Sequence, residues 1–124
     1  MTNTTFREQA HPVTTPPPFA VSVRNIGSAD FVVEVRGELD LFTGPILQQQ
    51  CESYFSGGSI GHPRKVVYLL PELSFMDARG LQYLLNAVPG RVGEQITVRE
   101  PSSSVSRFLE VVGLASMVEQ QAKQ

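Results

Sequence analysis

The sequence predicts one α/β domain built on a mixed, mostly parallel sheet, and three observations carry that expectation. Apolar stretches of strand length recur at residues 19–23, 31–36, 65–70 and 95–99. Segments of helical period stand between the later ones, so strands and helices alternate. The stretch at 65–70 is apolar on both faces, which marks a central strand covered on two sides. A helix between successive strands requires a crossover and therefore parallel pairing, with an initial hairpin as the antiparallel part. The expected order is β-β-α-β-α-β-α with room for a short terminal strand, giving four to five strands and three to four helices. A chain of 124 residues fits one domain and buries a usable core without disulfides or metals.

Residues 1–18 are polar and end in Thr14-Thr15-Pro16-Pro17-Pro18. Consecutive prolines favour extended chain, and the segment has little apolar surface to bury, so it is expected to be a disordered lead-in with the domain spanning 19–119. Phe19, Val21 and Val23 alternate with Ala20, Ser22 and Arg24, the pattern of a half-buried strand. A turn at 27–30 leads to a second strand at 31–36, in which Val33 and Val35 alternate with Glu34 and Arg36. Gly37-Glu38-Leu39-Asp40 is expected to leave that strand. Thr43 is read as the cap of the first helix and Pro45 as a residue of its first turn, where the missing N–H is not needed. Leu47, Cys51, Tyr54 and Phe55 share one face, Gly57-Gly58 ends the helix, and a polar loop runs to Arg64.

The third strand, 65–70, turns through Pro71-Glu72 and feeds a second helix whose first turn is expected to hold Asp77, Ala78 and Arg79. Leu81, Leu84, Leu85 and Val88 recur at helical spacing, and Pro89-Gly90 stops the run. A helix start fed by a strand turns backbone N–H groups and a positive dipole end outward, where function on α/β scaffolds tends to sit. The fourth strand covers 95–99. The serines at 102–104 open a third helix carrying Val105, Phe108, Leu109 and Val112 at i, i+3, i+4 and i+7, closed by Gly113. Residues 114–119 have the composition of a short last strand, and the polar residues 120–124 are expected to fray.

Several chemistries find no support. The formal net charge of -2 gives no electrostatic case for nucleic acid. No apolar run approaches the roughly 20 residues that span a bilayer. The N-terminus lacks the layout of a signal peptide, and a single cysteine excludes an internal disulfide, so a cytoplasmic protein is expected. His11 and His62 lack partners at metal-ligand spacing, and no glycine-rich phosphate loop appears. Ser22, Ser74 and the 102–104 cluster have no histidine base. Cys51 reads as an ordinary buried thiol. Asp40 and Asp77 read as caps of backbone donors rather than as an acid–base pair. No enzyme, cofactor or metal is expected.

Three segments occur in order at compatible separations: Gly37-Glu38-Leu39-Asp40 with Thr43; Leu73-Ser74-Phe75-Met76-Asp77 with Gly80-Leu81; and Val105-Ser106-Arg107-Phe108-Leu109 with Gly113-Leu114. Together they resemble the STAS domain of anti-sigma factor antagonists over roughly residues 19–119. The resemblance implies the STAS fold and a small bacterial switch protein. Such a protein binds a serine-kinase-type anti-sigma factor, which has a histidine-kinase-like ATPase fold, and thereby releases a sigma factor. By the same resemblance the partner-binding residues are Asp40, Thr43, Phe75, Met76, Asp77, Ala78, Arg79, Gly80 and Leu81. Relatives are phosphorylated on the serine directly after the aspartate of an Asp-Ser-Ser-Gly motif, which adds about -1.5 to -2 charges to the docking surface. Here that position is Ala78, which has no hydroxyl, and the next is Arg79. Leu69 is a second departure, on a strand where relatives often carry Asn or Asp.

Ser74, the nearest hydroxyl, reads as a polar group hydrogen-bonded beneath the loop. Arg79 is either solvated or in contact with a carboxylate, Glu38 or Asp40 in this chain or an acidic group of a partner. The resemblance accommodates two further roles: a scaffold or accessory subunit in a larger homo- or hetero-oligomeric assembly, and a ligand-sensing module in which Arg79 holds an anion at the helix start.

Overall fold

The computed structural model describes residues 18–26, 30–55, 65–88 and 96–119. The elements follow in the order β1 (Ala20–Asn25), β2 (Asp30–Leu39), α1 (Gly44–Phe55), β3 (Lys65–Leu69), β4 (Leu73–Met76), α2 (Ala78–Asn86), β5 (Ile96–Arg99) and α3 (Ser103–Val111), with a 3-10 turn at Ala115–Met117. This is a mixed α/β domain. Four strands lie in the order β1-β2-β3-β5, and a fifth, β4, pairs with β2. Only the β1–β2 pair is antiparallel, with Val21 opposite Val35 and Val23 opposite Val33. The β2–β3, β2–β4 and β3–β5 pairs are parallel, as crossovers through helices require.

The core forms where the alternating residues of β2 and β3 meet the apolar helix faces. Val33, Val35, Val66, Tyr68, Leu70 and Val98 join Leu47 and Cys51 of α1, Leu81 and Leu84 of α2, and Val105 and Leu109 of α3 in one buried cluster. Phe31 packs edge-to-face on Phe55 at a centroid distance of 5.0 Å and on Tyr54 at 5.9 Å, so the end of α1 is pinned over the start of β2. Tyr68 is fully buried, and its hydroxyl donates to the carbonyl of Leu84 at 2.7 Å. That single bond ties β3 to α2 and satisfies the one polar atom the side chain brings inside.

Four expectations change. β2 does not end at Arg36 but continues to Leu39, because β3 pairs only with residues 30–34 and β4 takes the rest, Gly37 opposite Leu73 and Leu39 opposite Met76. The stretch after Pro71-Glu72 is therefore a strand, not merely a connection. Gly37 sits at φ +98 where the β2–β4 register shifts, a bulge conformation that a side chain disfavours. At the other end of the chain, 114–119 forms a 3-10 turn and a single bridge, Val98 to Val118, in place of a strand. Thr43 does not cap α1 with its hydroxyl, which donates back to the Glu38 carbonyl at 2.7 Å. The expectations for the tail, the 27–29 turn, the 56–64 loop, residues 89–95 and the last five residues lie outside the described residues, as do His11 and His62.

Candidate functional site

The site forms where β2 and β4 end side by side. The Asp77 N–H donates to the Leu39 carbonyl at 3.4 Å. A Cβ added at Gly80 would lie 2.1 Å from that same oxygen, so α2 begins almost in contact with the end of β2. Asp77 is the N-cap of α2, its carboxylate accepting from the Gly80 N–H at 2.8 Å. Ala78 and Arg79 then occupy the first turn with their side chains in solvent.

The loop between β2 and α1 stands beside this helix start and is held by its own polar groups. One oxygen of Asp40 accepts from the N–H groups of Phe42 at 2.9 Å and Thr43 at 3.1 Å. The Thr43 hydroxyl accepts from the Asp40 N–H at 3.0 Å while donating to Glu38. The Gly44 N–H closes the turn on the Asp40 carbonyl at 2.8 Å. Both aspartates thus satisfy backbone donors, as their reading as caps requires.

The residues implied as partner-binding divide into three kinds. Met76, Gly80 and Leu81 are buried and shape the site from within. Asp40, Thr43 and Asp77 fix backbone geometry. Phe75, Ala78 and Arg79 are exposed. Sequence reasoning missed Leu41 and Phe42, which are 46% and 82% exposed on the loop. The signal was present, since two adjacent apolar residues between a strand and a helix belong to neither element's buried period. It also missed the packing of Gly44 on the Tyr83 ring, which a Cβ would enter at 2.0 Å. That contact brings the start of α1 against α2 one turn beyond Arg79.

An open groove of about 380 Å³ runs between these helices, lined by Gln48, Arg79, Gln82, Tyr83 and Asn86. Arg79 makes no ion pair with Glu38 or Asp40, and the ion pairs among the described residues are Arg24–Glu34 and Arg99–Glu119. Ser74 is exposed on β4 and its hydroxyl donates to the Gly37 carbonyl at 3.1 Å, stitching β4 to β2. Ser102 caps α3 and donates to the Leu73 carbonyl at 2.6 Å, while Ser104 donates to Ser74 at 2.7 Å. Leu69 is half-buried in the β3 ladder between Glu34 and Arg99. Cys51 is fully buried on α1, and burial, with Glu52 adding to it, pushes its thiol up to about 12. A thiol so held is not a nucleophile. Among the described residues no group of three or more potential metal ligands gathers, and no helix is long and apolar enough to cross a membrane.

Neither a protein-family model nor a curated protein matches the sequence. Solved structures do match, and they define the class: the chain has the STAS fold of anti-sigma factor antagonists. One is the anti-sigma factor antagonist SpoIIAA in its unphosphorylated form, 21% identical over 84% of this chain and 90% of that one, with a TM-score of 0.61. Another is an anti-sigma factor antagonist from Mycobacterium paratuberculosis, 22% identical over 83% of this chain and 86% of that one, TM-score 0.63. A third is the Bacillus cell fate determinant SpoIIAA in its phosphorylated form, 19% identical over 84% and 93%, TM-score 0.57. At these identities the likeness is one of fold.

Proposed function

We infer that this chain is an anti-sigma factor antagonist that docks a serine-kinase-type anti-sigma factor through the start of α2 and the loop after β2, and that it is not controlled by phosphorylation at the usual position. The observation that carries the reading is Ala78. It is the first residue of α2, exposed and set by the Asp77 cap, the place where the resemblance puts the phosphorylated serine. A phosphate there would sit at a helix N-terminus in the middle of the docking surface, which is why its presence or absence acts as a switch in a relative. Here the side chain is a methyl group, and the surface is held permanently in its unmodified chemistry. The protein is then a bacterial, cytoplasmic binding module of a transcription switch rather than an enzyme, and it frees the sigma factor from its partner with no change of phosphorylation at position 78.

The test is a pull-down with the kinase-type anti-sigma factors of the same organism, with and without ATP, using the wild type and Ala78→Ser. The wild type is expected to bind and to take up no phosphate. The serine variant is expected to be phosphorylated and to lose binding in ATP. Failure of the wild type to bind any such factor would refute the reading, and phosphate uptake by the wild type at another residue would refute the escape from control.

A further inference from the structure

Phe42 is the most exposed large hydrophobic side chain among the described residues. Its ring is 82% exposed, yet the backbone beneath it is fixed by the Asp40 carboxylate, the Thr43 hydroxyl and the closing bond from Gly44 to Asp40. An aromatic ring held in water on a rigid loop is pre-paid for binding: burying it gains the full apolar transfer term, and little chain entropy is lost in ordering the loop. Leu41 beside it and Ile46, in the first turn of α1, are 46% and 44% exposed. Three apolar side chains thus lie within six residues at one end of α1.

The loop is coupled to the start of α2 by the backbone bond from the Asp77 N–H to Leu39 and by Gly44 packed on the Tyr83 ring. On that side the groove lining carries a single cation, Arg79, and no carboxylate. An apolar knuckle on a loop joined to the helix start, where Arg79 has no ion pair among the described residues, fits a partner that is apolar at the centre of contact and acidic at its rim.

We propose that Phe42 is the anchor with which this chain grips its anti-sigma factor: the ring enters an apolar pocket of the partner, and a carboxylate beside that pocket meets Arg79. The inference rests on the functional reading above and deepens it, naming the residue that carries the affinity and the chemistry that receives it. Anchors of this type, aromatic and central in an otherwise forgiving contact, dominate interface energetics.

Calorimetric titration of the anti-sigma factor into wild type, Phe42→Ala, Phe42→Leu, Arg79→Glu and Val111→Ala tests it. Val111 is 77% exposed on α3 and serves as an apolar control away from the site. Phe42→Ala is expected to weaken binding about thirtyfold, the loss typical of an anchor residue, and Phe42→Leu by less than about tenfold. Arg79→Glu is expected to weaken it about tenfold, with the loss shrinking at high salt. Val111→Ala is expected to change nothing. Urea midpoints unchanged in the Phe42 variants establish that the fold is intact, as an exposed side chain implies. Wild-type binding with Phe42→Ala within twofold of it overturns the anchor while leaving the functional reading standing. Absence of wild-type binding overturns both. Self-association of the wild type that Phe42→Ala abolishes assigns the ring to a second copy of the chain, and also overturns the proposal.

Discussion

Gly80→Ala sets two effects of opposite sign against each other in the same turn of α2. Alanine is the better helix former by about 1 kcal/mol, and taken alone this predicts a more stable protein. The structure predicts the reverse. The new Cβ would lie 2.1 Å from the Leu39 carbonyl oxygen and 2.7 Å from its carbon, both backbone atoms of a strand paired on two sides. No rotamer relieves a clash with backbone, so the start of α2 must lift from β2 by more than an ångström. That movement strains the Asp77 N–H bond to Leu39 and the Asp77 cap on Gly80, and it loosens Leu81 and Leu84 in the core. Overpacking costs about 1–3 kcal/mol and a weakened cap about 1 kcal/mol, so the net expectation is a loss of roughly 1–3 kcal/mol after the propensity gain. Urea unfolding monitored by circular dichroism measures it, as a midpoint lowered by about 1–2 M at unchanged slope. Gly113→Ala is the control: its Cβ would meet nothing within 4 Å, and only its φ of +82 opposes the substitution, by about 1 kcal/mol. If Gly80→Ala were as stable as the wild type, the close seating of α2 on the end of β2 would be wrong, and with it the placement of Ala78 beside the loop.

Two further outcomes follow from buried polar groups. Tyr68→Phe removes the hydroxyl that donates to Leu84 and leaves a buried carbonyl short of a donor, for a loss of about 1–3 kcal/mol in urea unfolding and faster amide exchange in α2; an unchanged midpoint would contradict the bond. Alkaline pH should destabilise the protein in two stages. The folded state keeps the Cys51 proton to about pH 12, whereas an ordinary thiol releases it near 9.0, so stability is intact below pH 9 and falls by roughly 1 kcal/mol per pH unit above it. Burial likewise holds Tyr68 well above 10.0, adding a second loss that begins near pH 10. Cys51→Ala should flatten the decline between pH 9 and 10 and keep the later one; an unaltered slope in that window would show that the thiol is not the source.

The parts of the fold legible in the sequence are those set by periodicity. Val33 and Val35 announce a half-buried strand, Val66 and Val67 a strand buried on both faces, and Leu81 with Leu84 a helix face, because the chain's two repeat lengths are local properties. What escaped has partners distant in sequence. Leu73–Met76 reads as a connection, since four residues show no clear alternation, and only the free length of β2 beyond Glu34 makes them a strand. Thr43 has the composition and position of a helix cap, but Glu38 and Asp40 compete for its hydroxyl and win. The apparent last strand at 114–119 is apolar enough to pair, but a 3-10 turn uses most of it before it reaches β5.

For the site the division is sharper. Residue identity alone established that position 78 has no hydroxyl, that Arg79 puts a cation into a helix start, and that the aspartates on either side are of the kind that caps backbone. These are statements about which atoms exist, and no folding can change them. Which residues face outward was decided by tertiary structure. Asp77, Ala78, Arg79 and Gly80 are consecutive, yet the first caps, the next two meet solvent and the last lies against Leu39. A helix turn distributes neighbours around its axis, and only the strand it rests on tells one side from the other. For Phe42 the sequence offers only its place outside either element's buried period, and the completed core shows that this ring is left outside.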